Sequence, residues 1–161
     1  MAIVVSDTSP LRALNHLGMM DLLADLFSEI VIPPTVAFEM MTETDQFSSV
    51  DVRQWPFCKL HPAPAMRPLA AELLSLDAGE RDAIGLAQEL SANLLLIDEA
   101  AGRRAARNLG IKVTGTLGIL RRAKETGRVA AIKPLVERLC HEIRFYVAPD
   151  FLESFLRSAG E

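Results

Sequence analysis

The sequence predicts a three-layer α/β fold with a mainly parallel sheet, and three observations carry that prediction. Short apolar runs of strand length alternate with segments of helical length through most of the chain. Most of the apolar runs are continuous, which is typical of strands buried on both faces. Capping and turn-forming residues separate the segments. This alternation is the pattern of a parallel sheet covered by helices.

The first predicted strand covers residues 2–5 and ends in a polar turn that contains Asp7. Ser9-Pro10 then supplies an N-cap followed by a proline in the first helical position, so a helix is predicted over residues 10–26, divided at Gly18. Asp7 therefore stands at the carboxyl end of a strand, the edge at which open parallel sheets bind ligands. From this segment alone, Asp7 is either a turn cap or a site residue.

The later elements follow from the same periodicities, with glycine or proline at several boundaries and an unpatterned loop over residues 43–51. Asp150 is expected to cap the last helix, because Glu153 follows it at capping-box spacing. Further strands are predicted over residues 29–32, 59–61, 94–97, 111–113 and, at a sheet edge, 144–147. Further helices are predicted over residues 34–42, 68–75, 78–91, 99–109, 116–126, 133–140 and from 150 onward.

Composition bounds the class of protein. A chain of 161 residues that is 50% hydrophobic and 24% charged predicts a single globular domain over residues 1–161. The net charge of -4 gives no general sign of a nucleic-acid binder. Cys58 and Cys140 lack metal-site spacing, and no apolar run approaches a membrane span. We therefore expect a cytoplasmic protein with no membrane association.

Four acids are placed where one cleft would collect them. Asp7 and Asp98 each directly follow an apolar strand, Glu80 begins the helix before the second of those strands, and Glu39 lies on the helix after strand 29–32. Clustered carboxylates repel one another and need cations or raised pKa values. Mg²⁺ prefers oxygen ligands and can activate water for attack on a phosphodiester. The pattern favours a divalent-metal site.

Each acid also has a structural alternative. Glu80 lies three residues after Asp77 and would complete a capping box with it. Glu39 would be an ordinary exposed helix residue, and Asp98 would cap the helix that follows it. The placement of two strand-end aspartates and two helix acids in one small α/β domain favours the functional interpretation.

These segments, taken in order, resemble the PIN-domain ribonuclease superfamily. The resemblance extends over nearly the whole chain and is clearest up to residue 125. Two later segments resemble a branch whose bacterial and archaeal members are catalogued as uncharacterised or VapC-like toxin nucleases. The quoted segments are Asp7-Thr8-Ser9-Pro10-Leu11, Ile32-Pro33-Pro34 with Glu39, Ala78-Gly79-Glu80-Arg81-Asp82-Ala83-Ile84, Leu95-Leu96-Ile97-Asp98, then 103–110 and 114–118.

The resemblance implies a PIN-like fold and an endoribonuclease that depends on Mg²⁺ or Mn²⁺. Carried over position by position, the catalytic acids are Asp7, Glu39, Glu80 and Asp98, and the metal ligands among them are Asp7, Glu80 and Asp98. Glu39 has generic surroundings. Arg12 departs from the pattern, since related proteins usually have an apolar residue there, and a cation at that place would meet phosphate or occupy the acidic cleft.

Hydroxyls and cations accompany the acids. Thr8, Ser9 and Thr116 lie near the same sheet edge; capping explains Ser9 and Thr116, whereas the resemblance favours Thr8 or Thr116 as a group that holds water or phosphate. Residues 99–128 carry a net charge of +6, either as solvated helix faces or as a surface for an RNA backbone. The predicted RNA-binding cations are Arg103, Arg104 and Arg107.

The leading hypothesis is a metal-dependent RNase that acts as the toxin of a toxin–antitoxin pair, with RNA and a small antitoxin as partners. Alternatives are a non-catalytic PIN-like module that binds RNA or protein, and a phosphatase with a strand-end aspartate, although position 9 lacks the second acid of such enzymes. Apolar residues of the first two helices predict an antitoxin groove, a core face or a homodimer interface. They are Leu14, Leu17, Met19, Met20, Leu22 and Leu23.

Overall fold

The computed structural model describes residues 2–65 and 71–161 and shows a mixed α/β fold. The strands are β1 Val4–Ser6, β2 Ile30–Ile32, β3 Cys58–Leu60, β4 Leu94–Leu96 and β5 Val113–Thr114. The helices are α1 Thr8–His16, α2 Asp21–Phe27, α3 Pro34–Met41, α4 Ala71–Leu74, α5 Ala78–Glu89, α6 Ala100–Asn108, α7 Thr116–Glu125, α8 Lys133–Ile143 and α9 Pro149–Ser158. A 3₁₀ turn, Val52–Gln54, precedes β3.

The described strands form one five-stranded sheet in the order β3-β2-β1-β4-β5, and every pair is parallel. The chain moves outward from β1 to β3 in one direction, then crosses back and continues on the other side through β4 and β5. The order therefore reverses between β1 and β4, where Ser6 pairs with Leu96. In an open parallel sheet, such a reversal opens a crevice at the carboxyl ends of the two strands.

Two apolar cores cover the two faces of the sheet, as the continuous apolar strands predict. One core contains Val4 and Leu96 together with buried residues of α1, α2, α3, α7 and α8. The other contains Val5, Leu95 and Ile97 with buried residues of α5 and α6. Neighbouring residues of one strand thus face opposite layers, and the predicted three-layer α/β architecture is confirmed.

Most predicted elements are present within a few residues of their expected bounds. Gly18 adopts a left-handed φ of 69° and separates α1 from α2, as expected for a glycine that interrupts a helical pattern. The predicted helix over residues 68–75 is seen only as α4, because its first residues lie outside the described part of the chain. The 3₁₀ turn before β3 was not predicted.

Three local predictions were wrong. Asp7, not Ser9, occupies the N-cap position of α1, because the helix begins one residue before Ser9. Ala148, not Asp150, precedes α9, so Asp150 lies inside the first turn. Residues 144–147 form no strand: their alternation reflects an extended segment in which Phe145 and Val147 pack on the core while Tyr146 faces outward.

The apolar residues of α1 and α2 belong to the core. Leu14, Leu17, Met20, Leu22 and Leu23 are buried, and Met19 packs against them partly buried. They do not form the exposed groove that the apolar pattern suggested, since both helices pack against α7 and other core elements. In the part of the chain described here, no helix combines the length and apolarity needed to cross a membrane.

Candidate active site

The carboxyl ends of β1 and β4 place two aspartates beside the point where the strand order reverses. Asp7 directly follows β1, and Asp98 lies two residues beyond β4. The backbone N–H of Asp7 donates to the carbonyl of Leu96 at 2.9 Å, which extends the ladder between the two strands by one bond. The sequence correctly predicted this edge of the sheet for both residues.

Asp7 is buried without a full set of partners. Only 2% of the residue is exposed, and its Oδ1 has no hydrogen-bond partner. Although Asp7 occupies the N-cap position, its side chain makes no cap bond to α1. Burial raises the pKa of Asp7 well above its usual value, and Glu80, Asp77 and Glu39 raise it further, whereas the N–H of Thr8 opposes the shift. A cap would be hydrogen-bonded, so capping does not explain this carboxylate.

Glu80 has both a structural role and a perturbed carboxyl group. The side chain of Asp77 accepts a bond from Glu80 N at 2.8 Å, and the N–H of Asp77 faces the Glu80 carboxylate, which together make the predicted capping box. Burial nevertheless raises the pKa of Glu80 to about 7, with further increases from Asp77, Glu99 and Glu39. The cap therefore coexists with a carboxyl group that titrates near neutral pH.

Glu39 reaches the same crevice from α3. Its Oε2 accepts from the hydroxyl of Thr8, and its Oε1 accepts from Gly79 N at 3.1 Å. A Cβ on Gly79 would lie 2.7 Å from the Glu39 carboxyl carbon, so the carboxylate fits because position 79 is glycine. Glu39 is thus not an ordinary exposed residue, because two hydrogen bonds hold its carboxylate in the crevice.

Arg12 does not neutralise this acidic crevice. Its Nη2 donates to the backbone carbonyl of Glu39 at 2.8 Å, and its guanidinium lies 4.9 Å from the centre of the Phe47 ring. The sequence suggested two roles for Arg12, contact with phosphate or occupation of the acidic cleft. The second prediction is wrong, because the guanidinium binds a backbone carbonyl and a ring instead. Arg12 instead joins α1 to the end of α3 and to the following loop.

Asp98 is held by the start of α7. Thr116 donates to it twice, from its backbone N at 2.6 Å and from its hydroxyl at 2.7 Å. Burial raises the pKa of Asp98, and the bonds from Thr116 and the charge of Arg103 limit the rise. The helix that follows Asp98 has Glu99 at its N-cap, so Asp98 is not that cap. Thr116 acts by orienting Asp98.

The four acids fall into two electrostatic sets. Asp7, Glu39 and Glu80 interact electrostatically with one another, whereas the charges that act on Asp98 come from Arg103 and Glu99. Across the side chains described, those of residues 2–65 and 73–161, no three His, Cys, Asp or Glu groups are gathered closely enough to hold an ion. Two of the four acids are held by hydrogen bonds, Glu39 by Thr8 and Gly79 and Asp98 by Thr116.

The donor set nevertheless fits a hard divalent cation. The unpartnered, buried Oδ1 of Asp7 is the kind of group that such an ion satisfies, and Glu80 offers a second oxygen donor beside it. Mg²⁺ keeps several waters and is commonly held by one or two carboxylates. A ready-made cage of three protein ligands is therefore not required.

A cleft of about 850 Å³ opens beside Asp98. Arg103 and Arg107 line it, and the Nε of Arg103 is buried there without a hydrogen-bond partner. Arg104 is exposed but does not line the cleft. Of the other cations in the basic stretch, Arg121, Lys124 and Arg128 make ion pairs, which supports the view that these three are structural. Two of the three predicted RNA-binding arginines are thus placed together.

Sequence reasoning missed several residues that shape the site. Asp77 adds negative charge beside both Asp7 and Glu80, and Gly79 and Gly115 leave room for the Glu39 and Asp98 carboxylates. Arg144 and Tyr146 line the cleft from the segment that was predicted to be a strand. The Asp77 capping box was visible in the sequence, but nothing local indicated which surface residues 144–147 would cover.

Comparison with known proteins agrees with this geometry. A family model described as a PIN domain, DUF3368, matches residues 3–161. A solved structure of a PilT N-terminus domain protein from the hyperthermophilic archaeon Sulfolobus solfataricus P2 is similar in fold. It has a TM-score of 0.53 and 19% identity, over 76% of this chain and 93% of that one. No curated protein matches the sequence. Since the family model covers almost the whole chain, the protein belongs to the DUF3368 family of PIN domains, a nuclease-type fold.

Proposed function

We propose that this protein is a metal-dependent endoribonuclease that hydrolyses phosphodiester bonds of RNA. The observation that carries the proposal is Asp7, a buried carboxylate with an unpartnered oxygen at the switch point of a parallel sheet. Burying such a group is costly unless something satisfies it. A residue kept in this state within a nuclease-type fold is best explained by a bound cation and its substrate.

Asp7 and Glu80 would hold Mg²⁺ or Mn²⁺, and Asp98, which belongs to the other set, is the third proposed ligand. When bound, such an ion activates water and stabilises the charge that develops on the phosphodiester. Glu39, held by Thr8 and Gly79, completes the negative wall of the crevice. Because the pKa of Glu80 is raised to about 7 in the metal-free protein and a ligand carboxylate must be ionised, binding of the ion would release a proton near neutral pH.

The remaining residues position the substrate and the acids. Thr116 fixes the orientation of Asp98 through two hydrogen bonds. Arg103, with a buried and unpartnered Nε beside Asp98, can donate to a phosphate oxygen in the cleft. Arg107 lines the same cleft and would contact the next part of the backbone.

Incubation of purified protein with mixed RNA in Mg²⁺, Mn²⁺ or EDTA tests the proposal. We expect cleavage with either ion, none in EDTA, and a loss of several orders of magnitude in Asp98→Asn. Glu89→Gln, a change at an exposed residue at the opposite end of α5 from Glu80, is the control and should retain most activity. Equal activity in EDTA, or in Asp98→Asn, would refute metal-dependent cleavage. A non-catalytic RNA-binding module would instead bind RNA without cutting it under any of these conditions.

We further propose that this RNase acts in the cytoplasm as the toxin of a toxin–antitoxin pair. A small partner would inhibit it by placing an Arg or Lys among the carboxylates, where charge-assisted hydrogen bonds are strong. Co-expression with the neighbouring small gene should relieve growth arrest and yield a complex. Replacing the inserted cation should restore metal binding within that complex. If expression alone never slows growth and no partner co-purifies, the toxin role is wrong even where RNA cleavage is observed.

A further inference from the structure

The cleft beside Asp98 continues into an aromatic region that the catalytic proposal does not use. Five of the chain's nine aromatic residues line it, and all but one come from the C-terminal part of the chain. These five are Phe47, Phe145, Tyr146, Phe151 and Phe155. In a protein with only 6% aromatic residues, this concentration at one cleft requires a physical reason.

Two of these rings expose more than half of their residue's surface. Tyr146 is 82% exposed and Phe151 is 55% exposed, which is unfavourable for large rings with nothing to cover them. Phe155 is already engaged: it stacks on Phe151 with ring centres 6.2 Å apart, and Arg121 lies 5.5 Å from its centre. In the part of the chain that the structure describes, no hydrogen bond or ring contact of Tyr146 is recorded.

The backbone presents Tyr146 to the cleft. Helix α8 ends at Arg144, which has a left-handed φ of 57°, and Phe145 N donates to the carbonyl of Leu139. The following segment is extended, so side chains alternate and only Tyr146 of residues 145–147 is exposed. The core anchors the neighbours of Tyr146 while its own ring stays free.

The charges of the cleft favour an anionic occupant. Its described lining includes four arginines and two acids, a balance of two positive charges. The arginines are Arg12, Arg103, Arg107 and Arg144, and the acids are Asp98 and Glu99. Positive groups that follow a backbone, combined with exposed rings, are the features with which proteins bind single-stranded nucleic acid: arginines contact phosphates and rings stack on bases.

We propose that Tyr146 and Phe151 form a base-stacking site that holds unpaired nucleotides of an RNA strand beside Asp98. This inference rests on the proposed RNase function and assigns the holding of the substrate's bases to two side chains outside the acidic crevice. Bases in a duplex are already stacked on one another and cannot lie on these rings. The site therefore selects unpaired RNA through its rings and holds the backbone through the arginines.

The test is the affinity of the full-length protein for a fluorescein-labelled single-stranded RNA in EDTA, measured by fluorescence anisotropy. Tyr146→Ala should weaken binding by roughly 5- to 100-fold, as expected for the loss of one stacked base. Phe151→Ala should also weaken binding, whereas Tyr146→Phe should bind like wild type. Phe38→Ala removes an exposed ring of α3 outside the cleft and is the matched control.

A second probe, an oligonucleotide of the same length with abasic sites, separates stacking from phosphate contacts. Wild type and Tyr146→Ala should bind this abasic strand with equal, reduced affinity. Wild-type affinity for the intact strand in both Tyr146→Ala and Phe151→Ala, or an equal loss on the abasic strand, would overturn the proposal. Retained RNA affinity with loss of a co-purifying protein would also overturn it and assign the rings to a protein partner.

Cleavage measured on the same variants distinguishes the two proposals. If wild type binds RNA in a manner that depends on Tyr146 but never cuts it, the stacking site stands and the RNase proposal fails. If Tyr146→Ala and Phe151→Ala both bind and cut single-stranded RNA like wild type, the RNase proposal stands and the stacking site is refuted.

Discussion

The proposed chemistry of this protein depends on a side chain whose neighbours leave it without a full set of hydrogen bonds. Asp7 is buried, negatively charged neighbours surround it, and one of its oxygens has no hydrogen-bond partner. By contrast, two other acids of the crevice, Glu39 and Asp98, have donors within hydrogen-bond distance. The difference between a satisfied and an unsatisfied carboxylate gives separate predictions for stability and for activity.

Asp7→Asn should leave the free energy of unfolding in EDTA unchanged or raise it by up to about 1 kcal/mol, because an amide removes a charge that burial disfavours. Asp98→Asn should lower it by about 1–2 kcal/mol, because the amide replaces an oxygen that accepts from Thr116. Denaturant unfolding monitored by circular dichroism measures both. A larger destabilisation in Asp7→Asn than in Asp98→Asn would contradict the assignment of Asp7 as the unsatisfied group.

Glu80 makes the stability of the metal-free protein depend on pH. Its pKa rises from about 4.5 to about 7 on folding, so folding favours the protonated form. That contribution is fully present below pH 4.5 and is lost as pH rises through 7. Stability should therefore fall between pH 5 and pH 8, by on the order of 2 kcal/mol for this group.

Unfolding in EDTA at several pH values measures this slope. Glu80→Gln should flatten it, although the raised pKa of Asp7 leaves part of it in place. Glu89→Gln, at an exposed position on the same helix, should leave it unchanged. A slope in Glu80→Gln as steep as in wild type would mean that Glu80 is not perturbed in the folded protein.

At the scale of elements, the start of α5 fits against α3 through a single glycine. Gly79→Ala would normally stabilise a helix, but its new Cβ would lie 2.5 Å from Glu39 Oε1 and displace that carboxylate. We expect the stability to change by less than about 1 kcal/mol, because a flexible side chain can move away. RNA cleavage should fall at least about 10-fold, and Glu39→Gln should show a similar loss.

Gln88→Ala, at an exposed position of the same helix, is a control that raises helix propensity without adding an atom near Glu39. If Gly79→Ala and Glu39→Gln both retain full turnover in a cleavage assay, Glu39 is a structural residue and not part of the site. If Glu39→Gln alone loses activity, the glycine does not position the carboxylate.

The helices and strands also show which parts of the fold can be predicted from the sequence and which cannot. Runs such as residues 94–97 predict buried parallel strands because apolar continuity is a local property, and a strand-end Asp98 follows directly from it. The segment 144–147 could not be assigned in this way. Its alternation means only that one side faces the core, and whether a neighbouring strand is available to pair with it depends on the rest of the fold.

For the candidate site, the sequence predicts the location but not the hydrogen-bond partners of the acids. Parallel strands bring Asp7 and Asp98 to one edge, so the sequence identifies the crevice. The partners of the acids come from residues far along the chain, as in the bonds from Thr8 to Glu39 and from Thr116 to Asp98. Such pairings decide which acid is left unsatisfied, and no local pattern specifies them.

At the scale of the whole molecule, the lining of the cleft has a charge opposite in sign to the net charge of the chain. The net charge is -4, yet the described lining of the cleft beside Asp98 is positive. RNA affinity should therefore fall as the salt concentration rises. Each phosphate contact with a single strand should contribute about 0.7 to the slope of log affinity against log salt concentration. Replacing both Arg103 and Arg107 with Gln should reduce the slope by about 1.4.

Anisotropy titrations between 50 and 200 mM KCl measure this slope, a range over which counterion release is large. Arg104→Gln should have little effect, because Arg104 lies outside the cleft. Arg138 and Arg157, both paired on the protein surface, provide a matched double-Gln control. A full slope in the Arg103 and Arg107 variant would place the RNA on another face of the molecule.

The central claim is that the unsatisfied Asp7 carboxylate binds the ion that RNA cleavage requires. Its most direct test compares cleavage of one RNA by wild type and by Asp7→Asn in Mg²⁺ and in EDTA, at a pH where both proteins are shown to be folded. We predict that wild type cleaves only with Mg²⁺, and that Asp7→Asn is at least about 1,000-fold slower while equally or more stable. Cleavage by folded Asp7→Asn at the wild-type rate in Mg²⁺ would contradict the account.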